Sequence, residues 1–121
     1  AVVHLAAKIR VEEGQSYPDL YKQVNVTGTL NLIHTCVEKK ISKFIFASTA
    51  TVYGSPVSLP LKESCLNLHP TNPYGMSKLT VENILKDLAF SDSDWNIVTL
   101  RYFNPVGAHK SGFIGENPNF R

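Results

Sequence analysis

Tyr74-Gly75-Met76-Ser77-Lys78 places a phenol and an ammonium four residues apart, directly after Asn72-Pro73. Proline suits the first position of a helix, and Asn caps well in front of it. The spacing therefore predicts a helix on which Tyr74 and Lys78 share one face, about a turn apart. A positive charge beside a phenol favours the phenolate and lowers the tyrosine pKa, which would make Tyr74 a usable general base near neutral pH. Spacing alone fits a solvated helix face equally well. Upstream, Ser48-Thr49-Ala50-Thr51 offers hydroxyls that donate and accept hydrogen bonds. Alcohol oxidation needs an orienting hydroxyl, a proton acceptor and a cation that stabilises the phenolate. Thr49, Tyr74 and Lys78 are the candidates for those three parts.

Such side chains need a scaffold that brings them together. Residues 1 to 6 form a compact apolar run of β type. Residues 18 to 40 carry Leu20, Val24, Val26, Leu30, Ile33 and Val37, mostly three or four apart, as in an amphipathic helix with Pro18 in its first turn. Phe44-Ile45-Phe46-Ala47 reads as a buried strand, Val81, Ile84, Leu85 and Leu88 mark a second helix over 73–90, and Ile97-Val98-Thr99-Leu100 starts a third strand. The order β-α-β-α-β predicts an α/β fold, a parallel sheet with right-handed crossovers. In such sheets ligands bind outside the carboxyl ends of the strands. The residues leaving the strands are Ala6-Ala7-Lys8, Ser48-Thr49-Ala50-Thr51 and Tyr102-Phe103-Asn104. Small Ala6 and Ala7 would let a flat or phosphorylated ligand approach the backbone, although each group also fits ordinary turn chemistry. The connection from Thr49 to Asn72 contains Pro56, Pro60 and Pro70 and shows no helix or strand pattern. Loops of that length are usually functional or disordered.

Bulk properties narrow the classes. The 121 residues are 43% apolar and 18% charged, the balance of one globular domain. A formal charge of +2 without basic clusters argues against nucleic acid or an anionic membrane as partner. No apolar run reaches the roughly 18 residues of a spanning helix. Cys36 and Cys65 have no metal-ligand spacing, the four histidines are scattered, and two thiols without a framework suggest a reducing, cytoplasmic setting. Cys36 should be a small buried hydrophobe. The Asn25-Val26-Thr27 sequon is expected to lie unmodified within a helix.

None of the seven glycines falls into G-x-G-x-x-G, so the strand–turn–helix that cradles a dinucleotide pyrophosphate is not represented. The chain opens inside an apolar run and stops at Asn119-Phe120-Arg121. The expectation is a piece of a longer protein.

The motifs together resemble the middle of the UDP-glucose 4-epimerase family, within the extended short-chain dehydrogenases/reductases. The resemblance covers essentially all residues. His4-Leu5-Ala6-Ala7, Asn25-Val26-Thr27-Gly28-Thr29, Ser48 to Gly54 and Asn72 to Lys78 carry it. Its most specific block is Leu100-Arg101-Tyr102-Phe103-Asn104-Pro105-Val106-Gly107-Ala108-His109, followed by Ser111-Gly112 and Ile114-Gly115-Glu116. It implies that residues 1–121 form the central part of an NAD-binding Rossmann-like domain, doubly wound, without the first nucleotide-binding half and the C-terminal substrate domain. It implies that Tyr74 is the catalytic base toward the sugar 4-hydroxyl, that Lys78 holds the nicotinamide ribose, and that Thr49 orients the sugar oxygen. Leu5, Ala6, Ala7, Asn25, Ser48 and Tyr102 would line NAD. Phe103 and Asn104 would reach toward the UDP-sugar. UDP-glucose and UDP-galactose would be the substrates, and a homodimer the assembly.

Three departures stand out. Thr49 replaces the usual Ser, keeping the hydroxyl and adding a methyl that stiffens its rotamer. Ala7 replaces a usual Gly, narrowing the backbone's approach to the cofactor. The match is loose over residues 8–16, which leaves open whether Lys8 is a cofactor contact. The rival activities are a nucleotide-sugar 4,6-dehydratase or decarboxylase. Dehydratases carry acidic residues just after the catalytic hydroxyl, where this chain has Ala50-Thr51. A further alternative is a truncated product without activity.

Overall fold

The computed structural model of the chain describes residues 1–56, 58–65 and 67–114. Gly115, Glu116 and the closing Asn119-Phe120-Arg121 lie outside the described residues. Three parallel strands, β1 (Val2–His4), β2 (Lys43–Thr49) and β3 (Asn96–Tyr102), pair in the order β1-β2-β3. In register, His4 lies beside Phe46 and Phe46 beside Thr99, while Thr49 lies beside Tyr102 at the far end. The α/β reading from the sequence holds.

Both connections step in the same direction across the sheet. With right-handed crossovers, both long helices must then fall on one face. These are α3 (Gly28–Glu38) and α4 (Pro73–Ser91). The core sits between them and the sheet: Phe44 and Phe46 from β2 meet Ile33 and Cys36 from α3, Val81 and Leu85 from α4, and Trp95. The opposite sheet face carries Val3, Val98, Leu100 and Tyr102, all exposed. Of the two helix layers of a doubly wound sheet, the described residues supply one.

The helix expected over 18–40 is a composite. It runs from α2 (Pro18–Tyr21) through a π-helical segment (Lys22–Thr27) into α3. The wider turn brings Asn25 into the interior, where the side chain is buried. That burial agrees with the unmodified reading of the sequon. A short helix that the sequence did not announce, α1 (Val11–Ser16), precedes it, with Glu12 and Glu13 in its first turn where the helix dipole favours acid. Gly14 packs closely there: an added Cβ would come within 3.2 Å of the Tyr21 ring, which would have to give by a few tenths of an ångström.

α4 begins as its sequence predicts. Pro73 occupies the first turn, and the Asn72 side chain accepts the Gly75 N–H at 2.8 Å. The connection before it is less irregular than expected, because Ala50–Tyr53 form a 3-10 turn directly after β2. Gly54 ends that turn at φ 60°, and an added Cβ would lie 1.8 Å from the His69 carbonyl oxygen. Only glycine satisfies both constraints. Cys36 is buried as expected, and burial pushes its thiol pKa up, away from reactivity. Among the described residues no helix is long and apolar enough to cross a membrane.

Candidate active site

The carboxyl end of β2 and the first two turns of α4 form the centre of the site. Thr49 closes the strand in extended backbone, is nearly buried, and its side chain accepts the Thr51 N–H at 3.2 Å. Tyr74 and Lys78 lie a turn apart on α4, Tyr74 partly buried and Lys78 only 3% exposed. The Lys78 ammonium donates to the Ala47 carbonyl at 2.8 Å and sits 4.7 Å over the Phe46 ring. Tyr102 stands beside Thr49 in the strand register. Leu5, Ala6 and Ala7 continue from the end of β1 at the same edge, with Leu5 and Ala6 exposed. The structure thus brings together Thr49, Tyr74, Lys78 and Tyr102, with the Leu5–Ala7 segment alongside.

The electrostatics correct one expectation. The Tyr74 pKa is raised, chiefly by burial of the phenol, and contact with the Thr49 side chain opposes that rise. Lys78 is not among the groups that shift it; the ammonium meets the Ala47 carbonyl and the Phe46 face instead. Burial pulls Lys78 itself down to about 8. Taken together, the site holds a neutral phenol and a cation that is easily discharged. His4 packs edge-on against Phe44, and burial followed by the charge of Lys78 lowers its pKa.

Two other expected ligand contacts, Ser48 and Asn25, spend side-chain hydrogen bonds on the protein. Successive strand residues face opposite ways, so the Ser48 hydroxyl turns away from Thr49 and donates to Glu82 at 2.5 Å. Asn25 spends both amide N–H donors and one carbonyl acceptor site on the protein. Its carbonyl accepts the Lys8 N–H at 2.8 Å, and its NH₂ donates to the Lys8 carbonyl and to the Ser77 hydroxyl, each at 2.9 Å. Ser77 in turn donates to the Tyr74 carbonyl at 2.7 Å. Asn25 is therefore a clamp joining the segment after β1 to the first turn of α4, and its side chain has no donor left for a ligand. The Lys8 ammonium pairs with Glu13 at 2.6 Å.

Several residues at the site were not singled out from the sequence. Glu82 receives Ser48 and forms a two-pronged pair with Arg101, at 3.1 and 3.2 Å from Nε and 2.7 Å from the terminal nitrogen. That partnership raises the Arg101 pKa further. The guanidinium lies 4.9 Å over Tyr53, whose ring stacks at 6.3 Å on Phe103. Tyr53, Glu63, Arg101, Tyr102 and Phe103 border an open cavity of ≈ 520 Å³. Asn104 follows, exposed. A signal for Glu82 was present: it continues the i, i+4 series of Tyr74 and Lys78. Among the described residues no cluster of His, Cys, Asp or Glu could hold a metal ion.

Comparison with known proteins places this geometry. Residues 1–117 match the model of the NAD dependent epimerase/dehydratase family. The chain is 50% identical over 119 residues to a UDP-glucose 4-epimerase of Pasteurella multocida, and 48% identical over 118 residues to one of Dictyostelium discoideum. Each alignment covers 98% of this chain but 35% and 34% of those proteins, so the chain spans about a third of their length. A crystal structure of the UDP-glucose 4-epimerase from Stenotrophomonas maltophila with bound NAD and formylated UDP-arabinopyranose superposes with TM-score 0.90 at 43% identity, over 97% of this chain and 34% of that one. The Brucella ovis UDP-glucose 4-epimerase in complex with NAD gives 0.90 at 38% identity, over 100% and 37%. The chain belongs to the NAD dependent epimerase/dehydratase family.

Proposed function

We propose that residues 1–121 form the central part of an NAD-binding, Rossmann-like domain in an enzyme that interconverts UDP-glucose and UDP-galactose at C4 through a 4-keto sugar. The observation that carries this reading is the convergence of Thr49, Tyr74 and Lys78 at the carboxyl end of β2. A nicotinamide dinucleotide fits the donor set. Lys78 has three N–H donors and spends one on Ala47, which leaves two for a pair of ribose hydroxyls. Ala6 and Ala7 keep the backbone after β1 accessible to a flat ring. Bound NAD supplies the hydride acceptor, and the same nucleotide returns the hydride to complete the exchange.

The chain's own residues do the rest. Thr49 donates to the sugar 4-oxygen and aligns it with the phenol. Tyr74 takes the hydroxyl proton on its Oη and later returns it. Burial raises the Tyr74 pKa and so keeps the phenol protonated in the chain alone; a cationic neighbour that favours phenolate in the filled site would counter this. Tyr102 stands over the junction beside Thr49, and Phe103 with Asn104 extends toward the nucleotide diphosphate. Ala50 and Thr51 offer no acid–base pair for eliminating water, which favours epimerisation over dehydration.

The test is a C4-epimerisation assay with UDP-galactose on the full-length protein. Conversion to UDP-glucose without net NADH release is expected; a 4-keto-6-deoxy or decarboxylated product would replace this reading with a rival one.

The uncovered apolar sheet face supports a second statement about the isolated segment. The purified 121-residue chain should bind NAD poorly and epimerise nothing, and detectable turnover of UDP-galactose would refute that. For the full-length protein we propose a homodimer.

A further inference from the structure

We propose that Thr51 is a positioning residue that commits the single Thr49 hydroxyl proton to the Tyr74 side of the site, where the substrate oxygen would bind. The inference rests on the function proposed above. A threonine hydroxyl has one proton and two acceptor sites. The Thr51 N–H fills one acceptor site of Thr49 Oγ1 at 3.2 Å, and Thr51 Oγ1 lies 2.8 Å away. When Thr51 donates across that contact, both acceptor sites of Thr49 are taken. Its single proton is then left for the Tyr74 side. In the reverse arrangement Thr49 spends its proton on Thr51 and has nothing to give.

Either threonine can donate across that contact, and only the first arrangement leaves Thr49 a proton for the Tyr74 side. A donating Thr49 hydroxyl is also the one that stabilises phenolate, the form the proposed function needs. The Thr51 side chain is also held in place. A Cβ added to Gly75 would lie 3.0 Å from Thr51 Cγ2 and 3.2 Å from its carbonyl oxygen, so the methyl is wedged against the first turn of α4. A β-branched side chain has few χ1 rotamers. With the methyl against Gly75, the hydroxyl is directed at Thr49. One threonine thus connects the glycine of the Tyr74-Gly75 pair to the orienting hydroxyl.

A wedge and a hydroxyl make opposite predictions for two substitutions. Thr51→Val keeps the shape and removes the hydroxyl; Thr51→Ser keeps the hydroxyl and removes the methyl. In the full-length protein, Thr51→Val is expected to lower kcat about ten-fold with KM little changed, as for one lost hydrogen bond acting in the transition state. Thr51→Ser should stay within about two-fold of the parent. Equal rates for all three proteins, or a slow Ser and a fast Val variant, overturn the proposal. Should Thr51→Val fail to fold, Thr51→Ser against Thr51→Ala decides: a faster Ser variant supports it, and equal rates overturn it. Should the unsubstituted protein not epimerise, the proposed function fails, and the Tyr74 phenol titration then tests the inference. Followed by NMR with ring-labelled tyrosine and assigned with Tyr74→Phe, it should move upward in the hydroxyl-free variant, Val or Ala. An unmoved titration overturns the inference.

Discussion

Two polar clusters sit a helical turn apart on the same face of α4, and both meet the end of β2. In the first, Tyr74 and Lys78 face Thr49 and the Ala47 carbonyl, with donors to spare and burial shifting both titrations. In the second, Glu82 holds Ser48 and Arg101, and one face of the guanidinium lies over Tyr53. The second cluster pairs its charges internally, whereas among the described residues the Lys78 ammonium meets a carbonyl and a ring. An internally paired network rigidifies the fold, whereas spare donors beside a shifted acid–base pair are available to a ligand. On this reading the Glu82 cluster is the fixture that holds α4 against β2 and β3, while the Tyr74 cluster does the chemistry.

The contrast can be broken by exchanging the consequences. In the full-length protein Tyr74→Phe should reduce kcat by about 10²–10⁴-fold, the usual value of a general acid–base group, and leave urea unfolding unchanged. Loss of stability with retained turnover would assign Tyr74 to the fixture instead. Glu82→Ala should do the reverse. It strands a mostly buried Arg101 charge, which should cost about 3 kcal/mol in urea denaturation, with the rate per folded molecule largely kept. An unchanged unfolding midpoint would show the ion pair to be dispensable.

The smallest effect concerns Lys78, and its sign follows from linkage. Burial lowers its pKa from 10.5 to about 8, so over that interval the unfolded chain binds more protons than the folded one. Stability of the cofactor-free protein should therefore rise with pH from about 8, at most by roughly 1.4 kcal/mol per pH unit. Cys36, with its raised pKa, acts in the opposite direction above about 9, and Tyr21 and Tyr74 above about 10, which confines a clean reading to pH 8–9. Lys78→Met should flatten the rise; an identical slope in the variant would place the titration elsewhere.

Much of the architecture was legible because it is local. Asn72-Pro73 specified the start of α4 through a cap and a ring that act within three residues. The apolar run Phe44-Ile45-Phe46-Ala47 revealed β2, and the cores of the three strands lie where the apolar runs put them. The π-helical segment could not be read, since its sequence is as amphipathic as the helix around it. Neither could α1, a six-residue helix whose packing depends on Gly14 fitting under Tyr21.

The site divided along the same line. Residue types and spacing by themselves determined that a hydroxyl, a phenol and a cation would meet at the carboxyl end of β2, because strand order, crossover handedness and helical pitch leave little freedom. Which way each polar group spends its hydrogen bonds was decided only in three dimensions. Ser48 and Thr49 are adjacent in the chain, yet one serves Glu82 and the other faces Tyr74, because a strand alternates its faces. Asn25 is a ligand candidate by motif and a clamp in the fold, because burial leaves its amide only Lys8 and Ser77 as partners. The direction of the Tyr74 shift was also settled by packing. Desolvation of a phenol depends on what surrounds it, and an ammonium one turn away lowers its pKa only when it points there.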